Sequence, residues 1–137
     1  MNICVVGTGY VGLVTGACLS QAGHRVVCVD SDKRKIDMLE KGEIPIYEPG
    51  LDEVVARNRK AGRLFFTRSI AEGMLHDGHH ADAAFIAVGT PPRSDGSADL
   101  SFVETVTEEI ALAMTQYTVI VEKSTVPVET GEWIAKT

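Results

Sequence analysis

Three observations predict an α/β fold built on a doubly wound parallel sheet, incomplete at its C-terminal end. Short β-branched runs alternate with stretches of helical period along all 137 residues, the pattern that lays helices on both faces of a parallel sheet. The first run, residues 3–6, is apolar without alternation, as expected of a strand covered on both faces. A glycine string, Gly7-Thr8-Gly9-Tyr10-Val11-Gly12, joins that run to the first helical stretch. Hydrophobic residues make up 45% of the chain and charged residues 23%, ordinary values for a packed domain with a single core.

Residues 10–21 read as a helix that Gly23 stops. Residues 25–30 are a second strand, carried by Val26, Val27 and Val29. Helical spacing returns over 32–40, with Ile36, Leu39 and Met38 expected inside and Gly42 as the stop. Pro45 and Pro49 make 43–50 a loop. A further helix at 51–60 ends near Gly62, and 63–67 is a third strand. Ser69 is placed to cap a short helix reaching about His76. Residues 83–88 form a fourth strand, followed by a Gly/Pro/Ser/Asp-rich loop at 89–99. Ser101 is expected to cap a helix in which Val103, Val106, Ile110 and Met114 recur at helical spacing. Residues 118–121 are a fifth strand, and Pro127 suits the first turn of a last helix cut at Thr137. Right-handed crossovers then give the strand order 3-2-1-4-5. With no linker visible, residues 1–137 are expected to be the front part of one larger domain.

The glycine string has a strand before it and a helix after it, the context of a Rossmann-type dinucleotide turn. Gly7 permits the tight turn, Gly9 lets backbone approach a pyrophosphate, and Gly12 lets the helix lie close to the strand. The helix N-terminus offers free N–H groups and a positive dipole end to the phosphates. Asp30 stands at the end of the second strand, 18 residues after Gly12, where a carboxylate accepts hydrogen bonds from an adenosine ribose. It repels a 2′-phosphate, and the next residue is Ser31 rather than arginine, so NAD is expected over NADP. Lys33, Arg34 and Lys35 weigh in the other direction.

The net charge of −6 and pI near 5.1 argue against a nucleic-acid partner. No apolar stretch approaches the roughly 20 residues of a membrane helix, and the N-terminus lacks a basic leader. A cytoplasmic protein without membrane contact is expected. Cys4, Cys18 and Cys28 read as buried, reduced, structural thiols. His76, His79 and His80 cluster in a glycine-containing loop, where solvated histidines are expected and no metal site.

Four strings occur in order: GTGYVG at Gly7, PIYEPGL at Pro45, VGTPP at Val88 and KSTVPV at Lys123. With them the chain resembles the UDP-glucose/GDP-mannose dehydrogenases over essentially its whole length. The resemblance implies two successive NAD-dependent oxidations of the C6 alcohol of a nucleotide sugar to a carboxylate. UDP-glucose is the favoured substrate, with GDP-mannose or a UDP-N-acetylhexosamine as alternatives. It also implies a homo-oligomer at full length, and a nucleophilic cysteine beyond residue 137 that none of the three cysteines matches, so this chain alone is expected to be inactive. By the same resemblance Tyr10 and Val11 meet the pyrophosphate, beside Gly7, Gly9 and Gly12, and Asp30 and Lys35 meet the adenosine ribose. Thr90 lines the nicotinamide side, together with Ser124 and Thr125. Thr125 is the catalytic candidate, near the reacting carbon and a bound water. The family usually has glycine where this chain has Glu129, expected here in the first turn of the last helix. A free-standing NAD-binding regulatory module would share the glycine string and Asp30, but has no use for VGTPP and KSTVPV. Other NAD dehydrogenases of similar build lack PIYEPGL.

Overall fold

A computed structural model describes residues 1–136. Strands β1 (Asn2–Val6), β2 (Arg25–Val29), β3 (Leu64–Thr67), β6 (Ala83–Ile86) and β7 (Val119–Glu122) form one sheet, in the order β3-β2-β1-β6-β7. Every neighbouring pair is parallel. This is the expected doubly wound order, because the predicted third, fourth and fifth strands are β3, β6 and β7. The chain turns to one side after β1 and to the other through β6, so the strand order reverses between them.

Two apolar layers cover the sheet. On one face α1 (Tyr10–Gln21), α2 (Lys33–Glu40) and α3 (Leu51–Lys60) bury Leu13, Ala17, Ile36, Leu39 and Val55 against Ile3, Val5, Val26 and Cys28. On the other, α4 (Ile70–Met74) and α5 (Ser101–Ala113) bury Ile70, Met74, Val103, Val106 and Ile110 against Cys4, Val6, Val29 and Ile86. Alternate residues of β1 thus serve opposite faces, which is why its apolar run is unbroken. Burial pushes the Cys4 thiol up to about 12 and raises that of Cys28, so both are inert. Cys18 is exposed, contrary to expectation, because it lies on the side of α1 turned away from the sheet.

Several local expectations change. The segment after α4 is a two-stranded hairpin, β4 (Leu75–His76) against β5 (His79–His80), and not a loop. Its turn is Asp77-Gly78, both at positive φ, the pair that matches hairpin twist. His76 is not solvated: its ring lies 4.7 Å from that of Phe65, and its Nδ1 is 2.6 Å from Arg25 Nη2. Ser69 caps α4 as expected, but Ser101 caps nothing. It is the first residue of α5, and the Asp99 carboxylate accepts its N–H. The last helix, α6 (Thr130–Ile134), begins three residues after Pro127 and stops at Ile134, short of the expected run to Thr137, a residue outside those described. Glu129 lies before its first turn, at φ 78, in the left-handed region that favours glycine. Among the described residues no helix is long and apolar enough to cross a membrane.

Candidate functional site

A cleft of about 710 Å³ opens at the carboxyl ends of β1, β2 and β6, where the strand order reverses. Open α/β sheets bind ligands at such a switch point. Gly7, Gly9, Asp30 and Lys35 line it, with Val88 and Gly89 after β6.

The three glycines of the turn are glycine for different reasons. Gly7 has φ +105, and a Cβ there would lie 2.3 Å from the Ala87 carbonyl oxygen. A Cβ on Gly12 would lie 1.8 Å from the Gly7 carbonyl oxygen. Packing forbids side chains at both. Gly9 has φ −71, and a Cβ there would meet nothing within 4 Å. The fold does not require glycine at that position; its open side is the cleft. Helix α1 starts immediately after Gly9 with no side-chain cap, so its N-terminal donors remain available to an anion. Tyr10 and Val11, both largely exposed, stand at that helix start.

Asp30 ties the turn to β2. Its Oδ2 accepts the Thr8 N–H at 2.8 Å and the Thr8 hydroxyl at 2.7 Å, and its Oδ1 accepts the Asp32 N–H at 2.9 Å. Lys35 Nζ lies 3.6 Å from Oδ2. Partial burial pushes the carboxyl up, but the N–H groups of Asp32 and Thr8, the Thr8 hydroxyl and Lys35 outweigh it and hold Asp30 below the usual carboxylate range. A charged acceptor is therefore fixed at the lip of the cleft, with one lone pair on Oδ1 left for a hydroxyl donor. Thr8, fully buried, positions the Asp30 carboxylate, a part that its place in the sequence does not announce. The glycine pattern leaves that position open, so no signal marked it.

Thr90, Ser124 and Thr125 form a second group. The Thr90 hydroxyl donates to the Thr125 carbonyl oxygen at 2.7 Å, joining the loops after β6 and β7. The Ser124 N–H donates to the Ile86 carbonyl oxygen at 3.1 Å and to Glu122 Oε1 at 2.6 Å. Burial raises the Glu122 carboxyl, and the Ser124 N–H partly counters this; Oε2 is buried and finds no hydrogen-bond partner among the described residues. Thr125 itself is exposed. Glu48 accepts a hydrogen bond from the Tyr10 hydroxyl and so ties the 43–50 loop to the start of α1. The cleft also takes in Arg68 at the end of β3, a position that the carboxyl-end rule could have flagged.

The profile of the UDP-glucose/GDP-mannose dehydrogenase family, NAD binding domain, matches residues 1–137. UDP-glucose 6-dehydrogenase of Rhizobium meliloti (strain 1021) is 51% identical over 137 residues, covering 99% of this chain and 30% of the relative. UDP-glucose 6-dehydrogenase YwqF of Bacillus subtilis (strain 168) is 51% identical over 134 residues, again covering 30% of that protein. The crystal structure of a GDP-mannose dehydrogenase ternary complex from Pseudomonas aeruginosa superimposes with a TM-score of 0.90 at 39% identity, over 98% of this chain and 30% of that one. A UDP-glucose dehydrogenase from Pyrobaculum islandicum gives 0.89 at 40% identity, over 98% and 31%. The chain thus spans about 30% of the length of the curated relatives it matches. A glycine turn with one position kept open toward a cleft, an ionised aspartate at its lip and the family match over every residue agree: the chain belongs to the UDP-glucose/GDP-mannose dehydrogenase family, as its NAD-binding domain.

Proposed function

We propose that the chain is the cofactor-binding part of a UDP-glucose 6-dehydrogenase, which at full length oxidises the C6 alcohol of UDP-glucose to a carboxylate in two NAD-dependent steps. The observation that carries the reading is Gly9. It is a glycine that the fold does not need, at the mouth of an uncapped helix, where a side chain would occupy the path of a pyrophosphate. Similarity to UDP-glucose 6-dehydrogenases at about half identity supports the choice of sugar.

In this reading the N–H groups of Tyr10 and Val11 hold the pyrophosphate, and Gly7 and Gly12 set the turn that presents them. Asp30 accepts from the adenosine ribose, and Lys35 adds a positive charge 3.6 Å from that carboxylate. Thr90 and Ser124 line the nicotinamide side. Thr125 sits by the reacting carbon and orients a water. Bound NAD supplies the hydride acceptor. Cys4 and Cys28 are buried thiols and Cys18 stands outside the cleft, so none of them serves as the nucleophile of such a reaction, and the domain by itself is inactive in this reading.

The test is to assay the intact protein for NADH formation with UDP-glucose, GDP-mannose and UDP-N-acetylglucosamine in parallel. The reading expects UDP-glucose to be preferred, with two NADH formed per sugar consumed. Preference for either other sugar would move the chain to another branch of the family, and one NADH per sugar would refute the two-step reaction.

A further inference from the structure

We propose that Arg68 is a specificity-determining residue of the cofactor cleft, its guanidinium plane lying against the adenine ring of bound NAD. The inference rests on the cofactor reading given above.

Arg68 follows the carboxyl end of β3, beside the end of β2 that carries Asp30. The two ends are pinned together, since the Asp30 N–H donates to the Thr67 carbonyl oxygen at 3.2 Å. Arg68 lines the same cleft as Gly9 and Asp30. The other lysines at this end are engaged, Lys35 with Asp30 and Lys33 with Asp37. Arg68 makes no ion pair within 4 Å of a carboxylate among the described residues; its charge acts on Asp37 only at longer range, after that of Lys33 and Lys41. Its Nη2 reaches only the Ser31 carbonyl oxygen, at 3.5 Å, a weak contact. An exposed guanidinium thus stands at the rim, in a cleft whose lining includes apolar Val29, Ile70 and Val106.

Each part of a dinucleotide asks for different chemistry. A pyrophosphate wants N–H donors, which the start of α1 offers. A ribose diol wants an acceptor, which Asp30 is. An adenine ring wants apolar contact on one face and tolerates a weakly hydrated planar cation on the other. Ile70 and Val106 supply the first and Arg68 the second. A 2′-phosphate does not fit as the partner of Arg68, because it would have to share the site with the ionised Asp30.

The test is calorimetric titration of the chain, as wild type, Arg68→Ala and Arg68→Lys, with NAD, ADP, adenine-free NMN and NADP, and with urea melts to check folding. The expected result is that Arg68→Ala weakens NAD and ADP alike by roughly three- to thirty-fold, with NMN and the urea midpoint unchanged. Arg68→Lys should stay well below wild type, since an ammonium has no plane to stack. Unchanged NAD affinity in Arg68→Ala would overturn the proposal. So would full recovery in Arg68→Lys, which would make the residue a point charge for phosphate, or a loss confined to NADP. A wild-type chain that binds no NAD would defeat the cofactor reading itself; normal NAD binding with an indifferent Arg68 would defeat only this one.

Discussion

At one end of the cleft four donors converge on Asp30: the Thr8 N–H and hydroxyl, the Asp32 N–H and Lys35. Beyond the residues that line the cleft, the Thr90 hydroxyl donates to the Thr125 carbonyl oxygen and the Ser124 N–H and hydroxyl donate to that of Ile86, tying the segments after β6 and β7 together, while Thr125 is exposed. The glycine turn is also packed so tightly, Gly7 against the Ala87 backbone after β6 and Gly12 against the Gly7 carbonyl, that neither admits a side chain. The Asp30 end is therefore preformed by the fold, around a held side-chain carboxylate. The group at Thr90, Ser124 and Thr125 is held mainly through backbone carbonyls, and one neighbouring residue, Glu129, is held at a φ that side chains avoid.

Substitutions can break or sharpen this contrast, and the largest effect is expected within the turn. Gly12→Ala puts a methyl group into the Gly7 carbonyl and should cost about 3 kcal/mol or more, read as a fall in the urea midpoint. A tolerated Gly12→Ala would mean that the turn is far less rigid than described.

Asp30→Asn comes next. The folded Asp30 titrates below its unfolded value, near 3.9 for a free aspartate. Its stabilisation is therefore present above about pH 4 and is lost as the pH falls through the lower, folded value. Wild type should be more stable than Asp30→Asn by about 1–3 kcal/mol at neutral pH. The two should converge in acid when melted across a pH series; a difference that does not narrow would show that charge is not what Asp30 contributes.

The smallest effect belongs beside the second group. Glu129→Gly removes a left-handed side-chain residue and should raise stability by about 1 kcal/mol, read as a higher urea midpoint. A loss instead would show that the Glu129 side chain holds the loop in place.

The same contrast explains what was legible in the sequence. Strand order, the glycine turn and Asp30 were readable because each rests on a local rule: an unbroken apolar run, a fixed glycine spacing, a carboxylate at a strand end. Thr8 was not, because its part in the cleft comes from the side-by-side approach of β1 and β2, strands far apart in sequence; Arg68 stands at a strand end, but only the pairing of β3 with β2 brings it beside Asp30. The 75–80 hairpin was missed for another reason. Asp77-Gly78 is a hairpin signal, but it was masked by the histidines around it and by strands of only two residues. Glu129 was placed inside a helix because Pro127 suits a first turn. The chain instead spends Pro127 and Val128 on a turn closed by the Thr130 hydroxyl on the Pro127 carbonyl oxygen at 2.8 Å.

The central claim is that the ligand, and not the fold, requires glycine at position 9. Titrating wild type and Gly9→Val with NAD by calorimetry, beside urea melts of both, tests it most directly. The account predicts equal stability, NAD binding by wild type and no measurable binding by Gly9→Val. Equal NAD affinity in the two proteins, or a Gly9→Val chain that fails to fold, would contradict it.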